Sequence, residues 1–432
     1  MMPTIIGLVF LLASLYLFRK GSSYLFGLLV FSGIFQAATI VSSESAGIQP
    51  YYLVAMFFLA RCIVEVTLRK TEVRRVVGMG VLWAFIALGV ISAFIYPVIF
   101  HGIPVNNLNA ADEFSQVPLE FTSWNIAQPC LLIVNGLVVL AAGLMPGKIE
   151  QARKGLFIAF YVFLIILIAQ IACLTMKVPF PYAILSNNQH YRMANAGIGG
   201  SLRPNGTFSE PSMAGALMVA IALASLARFV ESGRGRREAC LAFLGLLIIA
   251  SSSSLLAAGL GIFLIVARYP VLRFPVYLRL TRLKRVSILL ILPGVILAVL
   301  AIPFVRQNLL EQTLNKSTSF SYVVRVSQDL SALQIARETY GVGVGLGSNR
   351  PASLIPALLS TVGLGGLILF VVMVARLLRN QLGDYKWFKW VAIGLILDMA
   401  CGIPDISFPL LWISLALVAR AAQQHPTTPL PA

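Results

Sequence analysis

Two segments of the chain place charged side chains beside signals for the start of a helix. In the first, the Asn-Gly pair at 205–206 predicts a tight turn, and the Glu-Pro-Ser run at 210–212 predicts the first turn of a helix. Arg203 precedes the turn, so an arginine and the Glu210 carboxylate flank a helix N-terminus. Such a group can bind an anion and accept a proton from a hydroxyl. The alternative is that Glu210 only caps the helix and offsets its dipole.

The second segment, 341–351, has glycine at alternate positions and ends in Ser-Asn-Arg-Pro. Glycines allow backbone N–H groups to approach a ligand, Ser348 or Asn349 can cap a helix that begins near 352, and Arg350 adds positive charge. The spacing matches neither a Rossmann nor a Walker motif. The candidate substrate-binding residues are Gly345, Gly347, Ser348, Asn349 and Arg350. The alternative is a glycine-rich turn that leads into a membrane helix.

A third segment, 322–340, has the spacing of an amphipathic helix at a membrane interface. Its apolar positions are Val323, Val326, Leu330, Leu333 and Tyr340. Arg325 and Asp329 form an i,i+4 pair on another face. Two interpretations stay open: Arg325 is solvated or salt-bridged, or its side chain enters a pocket.

Metal and cofactor chemistry have no sequence support. The three histidines lie in three different segments, and the sequence has no HExxH, CxxC or other cluster of metal ligands, so we expect neither a metal nor a cofactor. The five cysteines fall inside apolar runs without a pair motif. His190 lies beside Arg192 in a predicted external loop. It is a reserve candidate for a base, and both residues are candidates for substrate binding.

The composition shows what must position these residues. Of the 432 residues, 58% are hydrophobic and only 11% are charged, whereas soluble domains have about 25% charged residues. Long continuous apolar runs indicate an all-α, polytopic membrane protein. The net charge of +17 is explained by Lys and Arg in cytoplasmic loops rather than by binding to nucleic acid.

The apolar runs predict a single transmembrane domain over 1–432, with about 12–14 helices. They cover roughly 3–18, 24–41, 51–68, 76–100, 125–144, 156–176, 211–230, 240–267, 286–304, 352–378, 388–402 and 407–421. The basic loops place the N-terminus outside and the C-terminus inside. The external loops 177–210 and 305–350 are large, and we expect the tail 423–432 to be disordered.

One run is too long for a single crossing. A helix over 240–267 would be about 42 Å long, against a hydrocarbon core of about 30 Å. Four serines at 251–254 lie at its centre, and a very basic segment, 268–285, follows it. A hairpin of two short helices that turns at the serines returns this basic segment to the cytoplasmic side.

Ionisable residues inside the runs support a different class of protein. Arg61 and Glu65 lie in the third run and Asp398 in the eleventh. Intramembrane charges are functional candidates and often line transport pathways. A transporter or flippase would depend on these residues, whereas an enzyme acting at the outer face would depend on the external arginines and Glu210.

The two helix-start segments resemble motifs of the bacterial Wzy-type polysaccharide polymerases and O-antigen ligases. The first similarity is R-x-x-G-x-F-x-E-P-S, from Arg203 to Ser212, and the second is Arg325 followed by G-x-G-x-G-S at 343–348. The polytopic layout agrees over nearly the whole chain. The ligases of this family tend to carry a histidine in the second large outer loop. Because 305–350 has none, the resemblance favours a polymerase over a ligase.

The resemblance implies a GT-C-like helical fold and a metal-independent, inverting glycosyltransferase. Its donor would be a glycan on undecaprenyl pyrophosphate, and its acceptor another lipid-linked repeat unit at the periplasmic face of the inner membrane. Implied partners are membrane lipids, a chain-length regulator and a flippase. In this interpretation, Arg203 and Arg325 hold the pyrophosphate with help from Arg350 and the 341–349 backbone, and Glu210 is the base.

Overall fold

The computed structural model describes residues 2–42, 47–69, 78–106, 115–145, 149–188, 203–269, 320–379 and 383–423. It is 76% helical. The helices are α1 (Ile5–Lys20), α2 (Ser22–Ser32), α3 (Pro50–Arg69), α4 (Met79–Ile99), α5 (Trp124–Leu144), α6 (Ile149–Met176), α7 (Tyr182–Leu185), α8 (Pro211–Ser232), α9 (Arg236–Ile249), α10 (Ser252–Arg268), α11 (Phe320–Glu338), α12 (Leu354–Thr361), α13 (Gly363–Arg379), α14 (Phe388–Gly402) and α15 (Pro409–Ala422). Two antiparallel ribbons pair β1 (Met2–Pro3) with β2 (Val41–Ser42) and β3 (Pro104–Asn106) with β4 (Gln116–Pro118).

Within the described residues, five helices are long and apolar enough to cross a membrane: α3, α4, α5, α6 and α8. This confirms the prediction of an all-α membrane protein. Helix α8 differs from the other four, because 78% of its apolar window is buried, against 33–44% for theirs. Helix α8 is therefore enclosed by protein, while the other four leave much of their apolar surface on the outside of the bundle.

Small residues let the neighbouring helices approach α8 closely. A Cβ atom on Gly245 of α9 would lie 2.7 Å from the sulfur of Met218, and one on Gly394 of α14 would lie 2.9 Å from the Cα atom of Ala220. A Cβ atom on Gly215 would lie 2.1 Å from Oγ of Ser254 in α10. Close backbone approach at small residues is a common way for membrane helices to pack. Helix α8 is thus the centre of a bundle with α9, α10 and α14.

The hairpin predicted within 240–267 is confirmed. Helix α9 ends at Ile249, and Ala250 adopts a left-handed conformation with φ 52° before α10 begins. Ser254 packs beside Gly215, near the start of α8, and the Tyr269 hydroxyl donates to Glu231, near the end of α8. Helix α10 therefore runs parallel to α8, and the chain leaves both helices at the same end of the bundle. The segment 270–285 lies outside the described residues.

The apolar run 352–378 was predicted as one helix, but it forms two. Helix α12 ends at Thr361 and α13 begins at Gly363, which has φ +72°. A Cβ atom on Gly363 would lie 2.3 Å from the carbonyl oxygen of Val342. The glycine-rich segment therefore packs against the chain where the two helices meet. A second difference is the helix start, which is two residues later than predicted, with Ser353 as the N-cap.

A small second core lies at the end of the bundle where α8 begins, which we call the upper end. It joins the β3–β4 ribbon, helix α11 and the glycine-rich segment through the buried side chains of Val105, Leu119, Ile335 and Val344. We call this unit the cap. The helix predicted over 322–340 is confirmed as α11. Its exposed apolar positions are Tyr322, Val323, Val326, Leu330 and Leu333.

The close contact at Gly215 gives a test of the packing. We expect Gly215→Ala to destabilise the protein by about 1–3 kcal/mol, because the new Cβ atom overpacks the interface with α10. Gly259→Ala is the matched control, since a Cβ atom there has no neighbour within 4 Å, and replacing this helical glycine should stabilise slightly. Thermal unfolding in detergent measures both, and equal melting temperatures would contradict the packing described for α8.

The hairpin also predicts a topology. Arg234 and Arg268 are exposed at the same end of the bundle, and the charge bias predicts that this end faces the cytoplasm. In a background without the five native cysteines, Arg234→Cys and Arg268→Cys should both react with a membrane-impermeant maleimide only after the cells are opened. Labelling of either cysteine in intact spheroplasts would show that the orientation is wrong.

Candidate active site

The turn that precedes α8 is held by one side chain of α6. The amide of Gln170 is fully buried, and its Oε1 atom accepts hydrogen bonds from the backbone N–H groups of Asn205 (3.0 Å) and Gly206 (2.7 Å). Its Nε2 atom donates to Oδ1 of Asn205 at 2.9 Å. Gly206 has φ +60°, so the turn predicted at 205–206 is confirmed.

Two further contacts fix the turn to the bundle. Phe208 is fully buried, with its ring edge-to-face against Phe163 at a centroid distance of 5.4 Å. The carbonyl oxygen of Thr207 accepts a hydrogen bond from the N–H group of Ala37 at 3.0 Å. Because the turn is held on both sides, Arg203 before it and Glu210 after it have defined positions.

Glu210 is the N-cap residue of α8, and Pro211 occupies the first helical position. Its side chain makes no capping hydrogen bond to the helix backbone. One carboxylate oxygen instead accepts a hydrogen bond from the Ser212 hydroxyl at 3.0 Å, and the side chain is 27% exposed. The structure therefore does not use the carboxylate as a helix cap, and the group is reachable from solvent.

The structure brings together the three residues predicted to be catalytic. Nη2 of Arg325 lies 3.7 Å from Oε2 of Glu210, and the Arg325 side chain is 30% exposed. The pKa of Arg203 is lowered by burial and by the charge of Arg325, while Glu210 opposes this effect. Two guanidinium groups and one carboxylate thus lie beside the N-terminus of α8. Together they carry a net positive charge, and this favours an anionic ligand.

The predicted i,i+4 pair of Arg325 and Asp329 does not form, and Arg325 lies opposite Glu210 instead. Oδ1 of Asp329 accepts hydrogen bonds from the N–H groups of Ala352 (2.8 Å) and Ser353 (3.1 Å), and Oδ2 accepts one from the Ser353 hydroxyl (2.8 Å). Asp329 therefore binds the backbone donors that precede α12, which leaves Arg325 to face Glu210. These bonds also attach the cap to the start of α12.

Most of the glycine-rich segment packs against the protein. A Cβ atom on Gly345 would lie 2.7 Å from the carbonyl oxygen of Ser92 in α4, and one on Gly347 would lie 2.4 Å from that of Trp124 in α5. Both glycines have positive φ angles. The N–H groups of Val344 and Gly345 donate to carbonyl oxygens at the end of α12. These contacts fit the alternative interpretation, in which the glycines form a tight turn that leads into a helix.

Ser348 and Asn349 are buried in the same way. The Ser348 hydroxyl accepts a hydrogen bond from Asn125 at 2.7 Å. Oδ1 of Asn349 accepts one from the N–H group of Asn106 at 3.1 Å, and its Nδ2 donates to Ser360 at 3.0 Å. Neither residue is the N-cap of α12, so that prediction is wrong. Arg350 is exposed.

Sequence analysis missed a group of polar residues below the site. The Ser254 hydroxyl donates to Ser251 (3.0 Å) and lies 3.4 Å from the carbonyl oxygen of Ser212. Oγ of Ser253 lies 3.1 Å from that of Ser251. Asp398 of α14 is fully buried and lies one helical turn before Gly402, where a Cβ atom would lie 2.8 Å from Nη1 of Arg325. Asp398, which favoured the transporter interpretation, therefore borders the candidate active site.

The other intramembrane charges have a structural role at the opposite end of the bundle. Glu65 pairs with Arg61 at 2.9 Å. Its carboxylate also accepts hydrogen bonds from the N–H group (2.9 Å) and hydroxyl (2.6 Å) of Ser22. Glu65 thus caps the N-terminus of α2. The remaining candidates, His190 and Arg192, lie outside the described residues.

The described residues contain no group of three or more His, Cys, Asp or Glu side chains that could hold a metal ion. No protein-family model matches the chain, and no curated protein matches its sequence. The fold defines a helical membrane protein. The residues at the upper end of the bundle are therefore the ones that bear on its activity.

The Gln170 contacts predict how the turn responds to mutation. Gln170→Leu leaves the buried N–H groups of Asn205 and Gly206 without partners, at a cost of about 1–3 kcal/mol for each buried group. We expect a lower melting temperature and faster chymotrypsin cleavage after Phe208, which is fully buried in the folded protein. Gln334→Leu on the exposed face of α11 is the control. Equal cleavage of the two variants would contradict this role of Gln170.

Proposed function

We propose that the protein is a polysaccharide polymerase of the bacterial inner membrane. It transfers a glycan from an undecaprenyl-pyrophosphate donor to a lipid-linked repeat unit at the periplasmic face. One observation carries the proposal: the Glu210 carboxylate does not cap α8, but faces Arg325, with Arg203 close by. This combination of a base and two cations suits the transfer of a sugar from a pyrophosphate.

In the proposed step, a hydroxyl oxygen of the acceptor attacks the anomeric carbon of the donor sugar. The bond between that carbon and the phosphate oxygen breaks, and undecaprenyl pyrophosphate leaves with the electron pair. The acceptor proton passes to Glu210, and the anomeric configuration inverts. Glu210 meets the requirement for a base, since its side chain is partly exposed and is held near Arg325 by a rigid turn.

The arginines meet the second requirement of this step. Negative charge develops on the pyrophosphate as it leaves, and Arg203 and Arg325 supply fixed positive charge beside the partial positive charge of the α8 N-terminus. The Gln170 contacts hold the turn between Arg203 and Glu210, so little reorganisation is needed during the reaction. Arg350 is exposed and available to a long ligand. In this proposal a chain-length regulator and a flippase are partners of the protein.

Two alternatives use the same chain differently. An O-antigen ligase would transfer the glycan to another lipid, and the base and the two arginines would keep their roles. A transporter would depend on Arg61, Glu65 and Asp398. Arg61 and Glu65 are explained by the contacts of Glu65 at the N-terminus of α2, and Asp398 lies near Arg325. The polymerase therefore accounts for more of the observed contacts than the transporter does.

The decisive assay uses purified protein in liposomes with a synthetic repeat unit on undecaprenyl pyrophosphate. Polymer should form without a nucleotide sugar, and gel electrophoresis should show a ladder of products. Because the arginines supply the positive charge in this proposal, activity should persist in EDTA. A loss of activity in EDTA that magnesium restores would contradict the proposed step. Import of an intact sugar without any new glycosidic bond would favour the transporter.

Three substitutions test the roles of the residues. We expect Arg203→Lys and Arg325→Lys to lower kcat by roughly a hundred- to a thousandfold, since lysine loses the bidentate geometry of arginine. Glu210→Gln should be nearly inactive but folded. Arg337→Lys and Glu338→Gln, at exposed positions of α11, are matched controls that should retain activity. Normal polymerisation by Glu210→Gln would exclude Glu210 as the base.

A further inference from the structure

Arg325 lies near two carboxylates and makes a hydrogen bond to neither of them. The distance of 3.7 Å from Nη2 to Glu210 is too long for a hydrogen bond. The second carboxylate, that of Asp398, is fully buried. Neither of its oxygens makes a hydrogen bond of standard geometry within the described residues. A buried carboxylate with so few contacts keeps its charge beside a positive group and otherwise takes up a proton.

The guanidinium group of Arg325 lies against α14. Asp398 and Gly402 are four residues apart in this helix and therefore lie on the same face. A Cβ atom on Gly402 would lie 2.8 Å from Nη1 of Arg325 and 3.0 Å from Cβ of Ser253. Only glycine leaves room at this position for the guanidinium group, which then lies one turn from Asp398.

We propose that Asp398 is a second, buried counter-ion of Arg325 in addition to Glu210, and that Gly402 provides the space in which the guanidinium group is seated. Asp398 is a positioning residue: it holds Arg325 toward α14 and leaves the carboxylate of Glu210 free of a tight ion pair. A base in a tight ion pair with arginine would be a weaker base. The pairing is inferred from the burial of Asp398 and the close approach of Arg325 to Gly402, whereas its effect on sugar transfer rests on the proposed function.

A stability experiment tests the pairing without reference to activity. Arg325→Gln leaves the buried Asp398 without its counter-ion, and we expect the melting temperature in detergent to fall. Adding Asp398→Asn to Arg325→Gln should restore most of this loss, since the uncompensated charge is then removed. Adding Glu210→Gln to Arg325→Gln is the matched control and should restore little. Restoration by Glu210→Gln in place of Asp398→Asn would overturn the proposal.

The second arm tests positioning in the polymerisation assay. Asp398→Asn should lower kcat by roughly a hundredfold with a small change in KM, because Arg325 is misplaced for the transition state. Gly402→Ala should do the same by filling the space beside Nη1. Gly365→Ala is the control, because a Cβ atom there would lie no closer than 3.8 Å to a described neighbour. Full activity of both Asp398→Asn and Gly402→Ala would overturn the role in transfer.

The two arms separate the possible failures. If the wild-type protein forms no polymer, the proposed function fails, and the stability experiment still decides whether Asp398 pairs with Arg325. If polymer forms and Asp398→Asn does not restore the stability of Arg325→Gln, the pairing is wrong while the proposed function stands.

Discussion

The close packing around α8 is the constraint on which the rest of the structure depends. Because Gly215, Gly245 and Gly394 have no side chains, α9, α10 and α14 pack against α8 at distances that a Cβ atom at these positions would prevent. This convergence places the start of α8, the turn between α9 and α10 and the end of α14 at one level. Glu210, the serines at 251–254 and Asp398 lie at or near these three ends, and Arg325 lies in the cap above them.

The second constraint is electrostatic. The site holds two arginines beside a helix N-terminus and one partly exposed carboxylate, so positive charge is in excess where a ligand can reach it. In our proposal, Asp398 balances this charge from below, in a position that solvent does not reach. A ligand therefore meets cations, while their counter-ion is kept out of its way. This separation suits a site that binds one anion and releases another, because the positive charge of the arginines is only partly neutralised.

Sequence patterns predicted the features that depend on neighbouring residues. The turn at 205–206, the start of α8 and the hairpin at the serines follow from local geometry and from helix length. Contacts between distant segments were not predictable. The amide of Gln170 binds a turn 35 residues away, and Gly345 and Gly347 fit against carbonyl groups of α4 and α5. Asp398 was considered only as a transport candidate, because a sequence does not show which distant segments pack around a buried carboxylate.

The candidate site is divided between two parts of the molecule. Glu210 and Arg203 belong to the bundle, whereas Arg325 belongs to the cap, which Asp329 attaches to the start of α12. A ligand that contacts both parts gains affinity only when the cap is seated, so ligand binding and seating of the cap are thermodynamically linked. A partner that binds the exposed apolar face of α11 would change ligand affinity at the candidate site without contacting that site. The cap is therefore a point from which ligand affinity at the candidate site can be controlled at a distance.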